Sequence, residues 1–166
     1  ITKNELRDTR FLKTLHHHEI YDEALAAKLS DAYISISPQK TSLFPNTIET
    51  LNELKERDYQ LHIITNGFVE VQYIKLENCN LKPFFDVIVC SEEVGVNKPN
   101  KEIFSHSLNL ANAIASESMM IGDDLKVDVI GANQVGMEAI LFDPEKRHKS
   151  QAFQIINSID EIVDFE

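Results

Sequence analysis

Met119-Met120-Ile121-Gly122-Asp123-Asp124-Leu125-Lys126-Val127-Asp128 is the stretch on which the fold turns. It opens on an uninterrupted apolar run, the pattern of a short strand covered on both faces. A glycine and two acids follow at once, and then a helical spacing that carries a third acid, Asp128. A strand that runs through glycine straight into a helix sets its carboxylates at the strand's carboxyl end. In open parallel sheets that end is where ligands bind.

The same alternation repeats outward from this stretch. Apolar runs occur at Leu61–Ile64, Val87–Cys90 and Ala139–Phe142, with helical patterns near 47–57, 68–79, 100–111 and 126–135. Strand and helix in regular order predict an α/β fold with a parallel sheet and right-handed crossovers. Asn46 with Glu49, Asn100 before Lys101, and Ser158 with Glu161 read as helix starts, and Gly136 as the close of the helix begun near Lys126. Residues 1–44 differ: they contain no glycine, and Pro38 is their only proline. Leu6, Phe11, Leu12 and Leu15 recur at helical spacing, as do Ile20, Ala24, Leu25, Leu29, Ala32 and Tyr33. Two or three helices, each packed by one face and ending at Ser37-Pro38-Gln39, are expected there.

Composition narrows the function. Lys and Arg number 16 against 27 Asp and Glu, a formal charge of −11. That field repels polyanions, which argues against nucleic acid polymers and anionic membranes as partners. A small phosphorylated ligand remains compatible, because one lysine, a metal ion and backbone amides suffice to hold it. No apolar run approaches the roughly 20 residues of a membrane span. Cys79 and Cys90 make no disulfide framework and suit a reducing compartment, so a cytoplasmic location is expected.

Three strand ends carry the chemistry. Thr65-Asn66-Gly67-Phe68 follows the first run, Ser91 through Lys98-Pro99 the second, and Gly122-Asp123-Asp124 with Asp128 the third. A threonine hydroxyl and the N–H groups of Asn66 and Gly67 at a helix start can hold phosphate oxygens. Lys98 is a point charge suited to a phosphoryl oxygen or a carboxylate, and Pro99 biases it away from helical geometry. Asp123 and Asp128 can hold a hard cation such as Mg²⁺ through oxygen. Taken singly, these pieces also read as a turn, a loop entry and a helix cap. Three acids crowded at one strand end, however, repel one another without a cation.

Other residues read plainly. Consecutive helical positions point about 100° apart, so His16, His17 and His18 cannot converge on a metal. His62, inside an apolar run, reads as a hydrogen-bonded core histidine. Cys79 and Cys90 read as buried thiols without an activator, and Phe68 as a packing residue.

Taken jointly, Ile63-Ile64-Thr65-Asn66-Gly67, Val96-Asn97-Lys98-Pro99 with Ile103-Phe104, and Gly122-Asp123-Asp124 with Asp128 resemble motifs two, three and four of the haloacid dehalogenase superfamily. Thr65 to Phe68 followed by Ser91-Glu92-Glu93-Val94-Gly95 is similar to its pyrimidine nucleotidase (5'-nucleotidase) branch. The resemblance implies a Rossmann-like sheet sandwiched by helices over residues 45–166 and a partial helical cap over residues 1–44. It also implies Mg²⁺ and transfer of a phosphoryl group to an aspartate, then to water. Thr65, with the backbone of Asn66 and Gly67, would hold the phosphoryl oxygens, and Lys98 would neutralise the nucleophile and the developing charge. Asp123 would ligate Mg²⁺, and Asp128 would orient the metal's waters.

The family's first motif, Asp-x-Asp-x-(Thr or Val), is absent from the sequence. The expectation is therefore a core without its first strand, a nucleophile outside the sequence, a wide apolar face and no catalysis by these residues alone. An N-terminal segment lost ahead of Ile1 would account for all four. The expected substrate is a small phosphate monoester, with the pyrimidine nucleoside monophosphate resting on the resemblance alone. A metal-independent 2-haloacid dehalogenase shares the nucleophile, hydroxyl and lysine but has no use for a carboxylate cluster. A phosphorylated signalling receiver places its acids at the first strand, not the last. A non-catalytic phosphate-binding fragment is the remaining alternative.

Overall fold

The computed structural model describes residues 3–149 and 152–165, with side chains from Thr9 onward. Leu6 of the expected helical pattern thus has no described side chain. Two helices, α1 (Lys3–His17) and α2 (Glu23–Ile36), pack on each other, and a short 3-10 turn at Ser37–Gln39 closes the pair. Asp22 caps α2, its Oδ1 accepting from the Leu25 N–H at 2.8 Å. The face that α2 buries carries Ala26 and Ser30. Leu25, Leu29 and Tyr33, expected on the packed face, are exposed instead, as is Ile36.

The rest alternates helix and strand. After α3 (Thr47–Glu56) come β1 (His62–Thr65), α4 (Val69–Asn78), β2 (Val87–Cys90), α5 (Ser91–Val94) and α6 (Lys101–Ala111). Then follow β3 (Met119–Gly122), a π-helical turn (Leu125–Ile130) running into α7 (Gly131–Asn133), β4 (Glu138–Phe142) and β5 (Gln154–Ile156). All strand pairs are parallel, as the alternation predicts. β1 lies beside β2 with Thr65 opposite Cys90, and β3 beside β4 with Gly122 opposite Leu141; β5 continues that second sheet. Among the described residues β1 and β3 do not pair with each other, so each keeps one ladder edge without a neighbouring strand.

One core nonetheless joins the halves. Ile103 and Phe104 of α6 are fully buried with Val89 of β2 and Met120 of β3, and Ile64 of β1 packs against them. A second cluster, Ile140, Phe142 and Ile156, fills the other side of the three-stranded sheet.

Local chemistry explains where helices begin. Asn100 caps α6 through the Glu102 N–H, and Ser158 and Glu161 form the expected capping box at a 3-10 helix over Ile159–Asp164. Asn46 does not cap α3 with its side chain. With φ at 61°, a conformation asparagine tolerates, Asn46 offers its carbonyl to both the N–H and the hydroxyl of Thr50. The expected helix over 126–135 is shorter and wider than an α-helix. Asp124 Oδ1 takes the N–H groups of Lys126 and Val127, and the Val129 N–H reaches the Asp124 carbonyl five residues back, at 3.4 Å. Gly136, at φ 86°, sits three residues beyond α7.

The histidine in β1 departs from expectation: the buried Nδ1 of His62 has no hydrogen-bond partner among the described residues. His62 borders a cavity of about 470 Å³ at the amino end of the sheet, lined also by Lys55, Tyr59, Asp86 and Leu110. Burial pushes its pKa below the ordinary value, and Lys55 adds to that, against the opposing pull of Asp86. The fold therefore disfavours the imidazolium, while the unfolded chain takes a proton near pH 6.5. Stability should hold above that pH and decline as pH falls from about 6.5 towards the lowered folded value. Urea unfolding of the parent chain and of His62→Gln between pH 5 and 7.5 checks this, and a variant with the parent's slope would refute it.

Candidate active site

Three strand ends converge: β1 and β2 are paired, and a side-chain ion pair ties the end of β3 to the segment that follows β2. At the end of β1, the Gly67 N–H donates to Thr65 Oγ1 at 3.0 Å, closing a tight hydroxyl turn. A methyl group on Gly67 would lie 2.1 Å from the Gln72 amide nitrogen, so the glycine makes room for the Gln72 side chain. The N-terminus of α4 is tied to the next strand end, where Glu92 Oε2 accepts from the Val69 N–H at 3.0 Å. Nothing in the local sequence pattern singles out Gln72 or Glu92 for these roles.

Asn66 reaches across to the Lys98-Pro99 segment. Its Oδ1 accepts from the Lys98 N–H at 2.7 Å, and its Nδ2 donates to the Lys98 carbonyl at 3.1 Å. The lysine then extends to the third strand end, where its Nζ donates to Asp128 Oδ1 at 2.6 Å. The two side chains of this ion pair are only 10% and 5% exposed. Charges so well removed from water need good geometry and further hydrogen bonds, and Asp128 has one: its Oδ2 accepts from the Asp124 N–H at 3.1 Å. Gly122 is what admits that carboxylate, since a methyl group there would lie 2.3 Å from Asp128 Oδ2.

The residues singled out by sequence thus have distinct placements. Thr65, Asn66, Gly67, Lys98 and Asp128 form one connected set. Asp123 stands exposed at the end of β3, outside the hydrogen bonds that engage Asp124 and Asp128. Asp124 acts as a helix cap. A cation bound at this strand end would have Asp123 as its accessible carboxylate, since both oxygens of Asp128 are already engaged. Among the described residues no three His, Cys, Asp or Glu side chains come close enough to hold a metal unaided. One or two carboxylates with waters and substrate phosphate are what Mg²⁺ ordinarily takes, so the set fits that ion and would not make a closed cage for another.

The neighbouring groups are quieter. Cys90 is fully buried, and burial, aided by Glu93 and Glu92, pushes its thiol up to about 11, which leaves it inert as a nucleophile. Cys79 is half-buried, not buried as expected. A fourth strand end also carries a buried acid, Asp143, which the sequence reading passed over. Burial opposes its charge, but the N–H groups of His148 and Arg147 and the His148 ring hold its carboxyl below the usual value. That carboxylate holds the loop at 143–148 in place, with the His148 N–H donating at 2.7 Å. No helix of the described residues is long and apolar enough to cross a membrane.

Comparison with known proteins finds relatives that match over much of the chain. Over 121 residues the chain is 42% identical to a ribulose-1,5-bisphosphate 5-phosphatase from Halopiger xanaduensis, covering 73% of this chain and 51% of the relative. It is 34% identical over 125 residues to pyrimidine 5'-nucleotidase YjjG of Escherichia coli, covering 75% of this chain and 55% of that protein. In each case the chain spans only about half of the relative's length. The crystal structure of HAD-hydrolase YfnB from Bacillus subtilis, bound to magnesium, superposes with a TM-score of 0.85 at 26% identity, over 99% of this chain and 72% of that one. Residues 4–142 match the family model described as haloacid dehalogenase-like hydrolase, most of the chain's length, and the chain belongs to that family.

Proposed function

We propose that these residues form the helical cap (1–44) and α/β core (45–166) of a Mg²⁺-assisted phosphatase that hydrolyses a small phosphate monoester. The observation that carries this reading is the connected set Thr65–Asn66–Lys98–Asp128, a hydroxyl, a cation and an acid assembled at three strand ends beside exposed Asp123. In this reading the Thr65 hydroxyl binds a phosphoryl oxygen, and the Lys98 ammonium, held by Asp128, neutralises charge that gathers during transfer. Mg²⁺, held by Asp123, would supply further neutralisation of the phosphate. The phosphoryl group leaves the ester oxygen, which takes a proton, and bonds to a carboxylate oxygen; water then attacks phosphorus and restores the carboxylate. No Asp-x-Asp occurs in the 166 residues, so that carboxylate has no counterpart here. Among the described residues β1 and β3 each leave one edge unpaired, which leaves room for a strand that would bring it beside Lys98.

For the substrate we favour a pyrimidine nucleoside monophosphate, on the likeness to the E. coli nucleotidase. A sugar phosphate is the second reading, favoured by the higher identity to the ribulose bisphosphate phosphatase. Phosphate release by the gene product that carries this chain, measured on UMP, dTMP, CMP, ribulose 1,5-bisphosphate and glyceraldehyde 3-phosphate, separates the two. The expected result is Mg²⁺-dependent release, fastest from the pyrimidine nucleotides. Asp123→Asn is expected to lower turnover by about 100-fold or more. Halide release from 2-chloropropionate without Mg²⁺ would replace this reading with a dehalogenase, and an unchanged Asp123→Asn would remove the metal assignment.

A further inference from the structure

The lysine of this site lies in a segment with little support of its own. Residues 95–100 belong to neither helix nor strand, and Pro99 has no N–H to offer. Among the described residues the Lys98 N–H and carbonyl are both bound by one group, the Asn66 carboxamide. An amide that accepts from a residue's N–H while donating to its C=O imitates a neighbouring strand's main chain. It fixes the residue along the chain and about it. From that anchored backbone a flexible four-carbon stem must deliver an ammonium to Asp128, and each added freedom at Cα multiplies the ways it can miss.

We propose that Asn66 is a positioning residue: its side chain does not hold phosphate but sets the backbone of Lys98, and through it the place and protection of the ammonium. Thr65 stays with the hydroxyl turn, while the exposed Asn66 amide faces the lysine segment. The turn at the end of β1 and the lysine beyond β2 therefore move as one body. The consequence for catalysis rests on the phosphatase reading; the geometric claim does not.

Trace acetylation of the lysines with acetic anhydride, read by peptide mass spectrometry, tests the geometric claim directly. In the parent chain Lys98 should react far more slowly than exposed Lys101 and Lys126. In Asn66→Ala it should react faster than in the parent by about tenfold or more, the low end of the factor for two net hydrogen bonds lost, with Lys101, Lys126 and partly shielded Lys55 unchanged. Asn66→Asp keeps an acceptor for the Lys98 N–H but sets a negative oxygen against the Lys98 carbonyl, and should loosen Lys98 as much as alanine does. Unchanged protection in both variants, or a rise at Lys55 equal to that at Lys98, would overturn the positioning role. In the gene product, Asn66→Ala should lower kcat about tenfold with KM little changed. Loss of Lys98 protection without any phosphatase activity in the parent would sink the functional reading and leave the positioning role standing.

Discussion

Asp128→Asn should lower the unfolding free energy of the chain by about 3–5 kcal/mol, the cost of leaving one buried charge without its partner. The reason is visible in the two oxygens. Oδ1 takes the Lys98 ammonium and Oδ2 takes the Asp124 N–H. An asparagine has one oxygen for two donors, so either orientation turns its NH₂ towards an N–H or towards the ammonium. In both cases Lys98, only 10% exposed along its side chain, keeps its charge with no anion beside it. The double variant Lys98→Met/Asp128→Leu should recover most of the loss, because removing both charges removes the desolvation they suffer. Urea unfolding gives the answer as a midpoint shift at constant slope. A single-variant loss below about 1 kcal/mol, the value of a surface pair, would mean that Asp128 and Lys98 are solvated in solution.

Gly122→Ala should do comparable harm from the other side. The added methyl group would lie 2.3 Å from Asp128 Oδ2 and 2.4 Å from both its Cβ and Cγ. Contact with Cβ leaves no relief in a simple rotation of the carboxylate. Either Asp128 swings away and abandons Lys98, or the end of β3 moves. The first outcome repeats the loss of about 3–5 kcal/mol, and the second adds overpacking of about 1–3 kcal/mol. Gly136→Ala, where the nearest contact is 3.9 Å, should show only the milder strain of alanine at φ 86°. Comparing the two by thermal unfolding separates a demand for space from a demand for backbone freedom. Equal losses at both positions would refute the steric account.

Much of this was legible in the sequence, and the residues show why. Four apolar runs became β1 to β4 because a strand buried on both faces must be apolar throughout, leaving a signal that survives even at four or five residues. β5 went unseen: three residues at a sheet edge leave too little pattern. The residues of the site were legible by kind, since hydroxyl, lysine and acids at successive strand ends follow from topology. Their connections were not. That the Asn66 amide serves Lys98, or that Gly67 yields to Gln72, depends on distances across 32 residues in one case and on packing of a helix turn in the other. Neither leaves a periodicity. Asp124 shows the converse, since its capping role was among the readings open from the start.

The sheet's interruption between β1 and β3 also bears on how the isolated chain behaves at high concentration. Each bare edge is a row of main-chain donors and acceptors, and neither His62-Ile63-Ile64-Thr65 nor Met119-Met120-Ile121-Gly122 carries the lysine or proline that usually guards such a row. Against edge-to-edge pairing of two molecules stands the mutual repulsion of chains bearing a formal −11. That defence reaches only as far as the ionic atmosphere allows, about 10 Å at 0.1 M salt and about 3 Å at 1 M. Colloidal behaviour and the open ladder edges are thus coupled: salt unmasks the same edges that a neighbouring strand would cover.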